Sequence, residues 1–192
     1  ARLRRVRLDF RLERASSAGG SAGRAAARAP FTVFLGTPLE HDAGDFLWFH
    51  PRAAAIPGAG KDGAPRVVMT LQKHLRVSDH YSGLHVLETD DRGRTWRGPV
   101  AIPGRDWTEE EPGGATIAVA DVTPGWHARS GKVLAVGARV RYGKSGQQLD
   151  DRPRSHQTSW TVHDPRTGTW SRWRTLEPPA GEEFEFSRNA CS

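Results

Sequence analysis

The chain has 192 residues, enough for one domain with a sizeable core, and carries one cysteine, Cys191, and a net charge of +6. A single cysteine excludes an intrachain disulfide and a cysteine-based zinc cluster, and no run reaches the roughly 18 apolar residues a membrane helix requires. The positive excess does not mark a nucleic-acid site: residues 1–30 hold eight Arg against Asp9 and Glu13, so the remainder is neutral, whereas such a site needs basic residues clustered on the fold itself.

Seven Trp and 21 Gly beside one Met predict many short strands and turns. Residues 1–29 form a basic, low-complexity segment. Leu8 to Leu12 alternates like a short edge strand, and residues 15–29 are almost all Ala, Gly, Ser and Arg, which cannot bury a core. With no initiating Met and no apolar secretory segment, the chain is expected to begin inside a larger gene product. Residues 30–192 form the folded region.

Phe31 to Leu35 reads as a strand, Gly36 to Asp45 as a loop, and Phe46 to His50 as a second apolar run. The spacing of His41, Asp42, Asp45 and His50 fits no zinc pattern, so neither metal nor cofactor is expected there. Strands near 53–56, 66–72, 83–89 and 95–101 follow, making one four-stranded antiparallel unit. Between the last two stands Thr89-Asp90-Asp91-Arg92-Gly93-Arg94-Thr95-Trp96. Asp91 accepts backbone N–H groups just ahead of it, Gly93 takes positive φ, and Thr95 with a buried Trp96 starts the returning strand.

A second unit repeats this order. Gly114 to Val119 is apolar, Asp121 to His127 reads as a turn, and Lys132 to Gly137 and Ser159 to His163 read as strands. Asp164 to Trp170 is a degraded copy of the octet, keeping Asp164, Gly168, Thr169 and Trp170 but with one extra residue between Asp and Trp and Val162 in place of the leading Ser/Thr. Glu109 to Glu111 is an exposed charge run between the units, and residues 181–192 open what would be a third.

Thr89, Asp91, Gly93, Thr95 and Trp96 fill every defined position of the Asp-box, and on them the chain resembles the sialidase-like Asp-box repeat β-propellers. The resemblance runs from about Trp48 to the C-terminus. It implies an all-β fold, a partial propeller of about three four-stranded antiparallel blades from a six-bladed parent, since a chain this short cannot close such a ring. It implies an exo-glycosidase that removes terminal acidic sugars from glycans, commonly exported to the periplasm or outside the cell. The rival from another class is a non-catalytic propeller that binds carbohydrate or protein, because the box itself is a structural turn away from the active site.

Two residues match further features of that family. Arg52, upstream of Ile56-Pro57, stands where the family places an Arg that grips the substrate carboxylate, although three Ala intervene; a planar guanidinium suits that task. Asp79, on the loop before the strand that enters the Asp-box, has the placement of the general acid/base. Gln72, His74, His80 and Tyr81 are expected to face the same polar cleft, with Trp126, His127 and Arg139 at the matching place in the second unit. Sialidases use a Tyr nucleophile activated by a Glu. Neither Tyr81 nor Tyr142 stands where that residue would, so the resemblance places it in later blades.

Overall fold

The described residues form two antiparallel sheets. The computed structural model describes residues 36–41, 43–75, 80–102, 109–110 (backbone only), 114–149, 158–177 and 180, all within one compact unit, 36–192. The expected strands at 8–12 and 31–35, and also Asp42, Asp79, Glu111 and residues 181–192, lie outside the described residues.

The first sheet is a meander of β1 (Leu47–Ile56), β2 (Arg66–His74), β3 (His85–Thr89) and β4 (Arg97–Ala101), paired in that order. The second joins β5 (Glu109–Glu110), β6 (Thr116–His127), β7 (Lys132–Tyr142), β8 (Thr158–Asp164), β9 (Thr169–Trp170) and β10 (Arg174–Thr175). Its order is β10-β8-β7-β6-β5, with β9 also paired to β8. No α-helix occurs among the described residues, so the all-β expectation holds.

The long strands depart from the sequence reading. Phe46 to His50 and the strand at 53–56 merge into β1, and the turn expected over Asp121 to His127 is instead the second half of β6. Pro124-Gly125 resembles a turn, but at Pro124 the strand is paired with β7 alone, because β5 reaches only Thr116 and Ile117. A proline at such an edge need not break a ladder.

Both β1 and β6 carry a β-bulge. Pairing with β2 slips between Phe49 and Arg52, and pairing with β7 slips between Ala120 and Thr123. Each bulge holds a non-glycine residue in left-handed backbone, His50 at φ 52° and Asp121 at φ 50°. Aligning the bulges aligns the modules: β1 with β6, β2 with β7, β3 with β8, and the two Asp-type turns after the third strand. Gly137 faces the second bulge, where an added Cβ would lie 2.4 Å from Val119 Cγ1 and 3.0 Å from Ala120 O.

The bulge also sets which residues share a face. Phe49 is opposite Gln72 and Arg52 is opposite Thr70. Gln72 and Thr70 are two apart and point the same way, so Phe49 and Arg52 share a face although they are three apart. This face of the first sheet packs on β6. Ala54, Ile56, Val68, Leu84, Val86 and Ile102 form one core with Val122, Val133 and Ala135 of the second sheet. The equivalent face of the second sheet presents Leu134, Val136, Trp160 and Val162, none of them fully buried.

The turn at 89–96 closes β3 to β4. Asp91 accepts the Thr95 hydroxyl at 2.6 Å and backbone N–H at 2.9 Å, and the Thr89 hydroxyl at 2.9 Å. Thr89 Oγ1 in turn accepts the Gly93 N–H at 3.0 Å. The Thr95 donors hold the Asp91 carboxyl far below its ordinary value. Gly93 at φ 80° makes the bend, and Trp96 Nε1 donates to Gly93 O at 3.2 Å. The indole therefore lies across the turn, half-buried rather than in the core, and the returning strand starts one residue later, at Arg97.

The second turn uses other partners. Asp164 binds the Lys132 ammonium and accepts the Arg166 N–H at 3.0 Å, which hold its carboxyl down to about 2. The His163 ring stacks on Trp170 with centroids 4.7 Å apart. This turn is one residue longer from Asp to Trp than the first, and within it Gly168 N donates to the Asp164 carbonyl at 2.9 Å.

Candidate functional site

The seam between the sheets changes character along its length. Near the Asp-type turns it is apolar. Toward the start of β1 and the end of β2 it turns polar, through three side chains of the first sheet that reach β6. Thr70 Oγ1 donates to Val122 O at 2.8 Å, Gln72 Nε2 to Val119 O at 3.0 Å, and Arg52 Nη2 to Asp121 Oδ1 at 3.1 Å. All three meet β6 around its bulge, whose carbonyls are turned out of the ladder.

Arg52 thus stands inside β1, not at a strand start, with its guanidinium partly exposed and engaged by Asp121 and by Pro51 O at 3.4 Å. Gln72 is buried and also donates to Ser82 O at 2.8 Å; among the described residues its Oε1 has no hydrogen-bond partner. Tyr81 bridges to His74 and packs among Phe49, His50 and His74, with ring centroids at 6.1, 4.8 and 5.3 Å. His80 reaches the second sheet's loop. Its ring lies 4.9 Å from Tyr142, and a Cβ on Gly146, itself at φ 80°, would fall 2.6 Å from its Nδ1. Burial, and then the neighbouring His74, lower the His80 pKa and favour its neutral form.

Arg52, Gln72, His74, His80 and Tyr81 therefore gather at one end of the molecule, with Arg139 opposite Val119 on β7. Trp126 and His127 do not join them: they close β6 at the other end, paired with Val133 and Lys132 beside the β6–β7 turn. His41 is likewise separate, stacked on Phe46 and 2.7 Å from Asp45. Among the described residues no three His, Cys, Asp or Glu come together as metal ligands. Leu75 and His80 flank the segment containing Asp79 and are joined by a 2.8 Å backbone bond, Leu75 N to His80 O.

Phe49, His50 and Asp121 are site residues that sequence reasoning did not single out. The signal was a change of phase. Ile117 and Val119 occupy odd positions, whereas Val122, Pro124 and Trp126 occupy even ones. A strand that changes parity while staying apolar contains an extra residue.

Compared with family models, with curated proteins and with solved structures, the chain shows no match. Among the described residues, no helix is long and apolar enough to cross a membrane.

Proposed function

We propose that the chain supplies two blades and the beginning of a third of a sialidase-like propeller, six-bladed when whole, and that it works as an exo-glycosidase on terminal sugars of glycans. One observation carries this: Arg52, Gln72, His80 and Tyr81 collect where the seam between sheets turns polar, opposite the Asp-type turns. The repeated bulge-strand module with a tight turn after its third strand supports the blade assignment. So does the half-exposed apolar face of Leu134, Val136, Trp160 and Val162, since in a ring the next blade covers it. In this proposal Asp79 is the general acid/base, Arg52 holds substrate, and the nucleophile belongs to a later blade.

The test is hydrolysis of fluorogenic glycosides by the full-length parent and its Asp79→Ala variant. Loss of a general acid/base lowers kcat by about 10²–10⁴-fold; equal rates would remove Asp79 from the mechanism. A second reading, a glycan-binding propeller without catalysis, is favoured by the two tyrosines. Tyr81 and Tyr142 are the only ones in the chain, and both are buried. A parent that binds glycans and hydrolyses none decides for it.

A further inference from the structure

The Arg52 guanidinium already has a carboxylate. Asp121 Oδ1 sits 3.1 Å from Nη2, and Nη1 turns back to Pro51 O. An incoming carboxylate would have to displace Asp121 or accept a place beside it, where like charges repel. Displacement is opposed by the backbone. Asp121 is the left-handed residue of the β6 bulge, so its Cα–Cβ direction is fixed by a distortion that Gly137 accommodates. Among the described residues at this end, Arg139 and Arg141 also have interaction partners.

The pair is nonetheless presented to solvent, with side chains 40% and 35% exposed. It offers N–H donors and a carboxylate acceptor side by side. That combination fits a hydroxyl group, which both donates and accepts, or two neighbouring hydroxyls. Phe49 shares the face of Arg52 and is partly exposed beside His74 and Tyr81, a flat apolar surface of the sort a sugar ring can cover. We infer that this site selects an uncharged sugar, with Asp121 standing where the carboxylate of an acidic sugar would bind. The inference rests on the glycan-directed function proposed above and narrows its substrate class.

The test measures binding to the full chain of matched probes: methyl glucoside against methyl glucuronide, methyl galactoside against methyl galacturonide, and a methyl sialoside as free acid against its methyl ester. The wild-type protein should bind the uncharged member at least tenfold more tightly. Asp121→Asn keeps a side chain that tolerates left-handed backbone and can still accept from Arg52, and should shrink that gap at least tenfold. Arg52→Gln removes the cation 3.1 Å from Asp121 and should widen it. These opposite shifts cannot both arise from a misfolded variant. Preference of the wild type for the acidic members, or a gap untouched by Asp121→Asn, overturns the inference and leaves the glycan function standing. Failure of every probe to bind overturns both.

Discussion

Single side chains hold the tight turns, and two of them make the fold sensitive to acid. The Asp91 carboxylate is kept charged by Thr95 and Thr89, so the stability it contributes is complete above the ordinary carboxylate value of 3.8 and is lost as pH falls below it. Asp91→Ala should therefore lower the thermal midpoint at pH 7, and its deficit relative to wild type should narrow in scans below pH 3.8. His163 works in a higher window. Burial disfavours its charged form and lowers its pKa from 6.5. The unfolded chain then binds a proton that the folded one resists, so stability is full above pH 6.5 and declines below it. Urea midpoints at pH 8 and pH 5 should differ more for wild type than for His163→Gln. The turn at 89–96 was legible in the sequence because it is local: Thr89, Asp91, Gly93 and Thr95 satisfy one another within seven residues. The surroundings of Trp96 were not, because burial of an indole depends on what the rest of the molecule packs over it.

Strands β1 and β6 each do two jobs, carrying core side chains near one end and polar contacts near the other, and the bulge separates the two. Its partner strand must leave room. Gly137→Val would drive a branched side chain into Val119 and Val122, and overpacking of this kind costs about 1–3 kcal/mol, measurable as a shift in the denaturant midpoint. The ladder partners at 66–72 and 132–137 could be read from short apolar runs rich in β-branched residues, Val67-Val68-Met69 and Val133-Leu134-Ala135-Val136. The second half of β6 could not. Pro124 and Gly125 carry every local mark of a turn, and only pairing along β7, from Thr123 opposite Val136 to His127 opposite Lys132, keeps them extended. Tertiary pairing overrode local preference there.

Across the whole molecule the two modules stack in one direction, with a face of the first covered by the second through a seam that runs from oily to polar. The sequence foretold the repeat and its Asp-type turns. The resemblance to sialidases also singled out Arg52, and with it Gln72, His80 and Tyr81 as residues expected to face one cleft. It could not foretell that Arg52 would find Asp121, 69 residues away, because that contact exists only once two sheets meet. The bulge at His50 has one more effect. It shifts the phase of β1, so that a single surplus residue lets Phe49 and Arg52, an odd and an even position, point the same way. Deleting His50 would leave Pro51 alone opposite Leu71, with Phe49 still opposite Gln72, Trp48 still opposite Lys73 and Arg52 still opposite Thr70. A lineage could thus straighten this strand by losing one codon and keep the aromatic wall of the cleft where it stands.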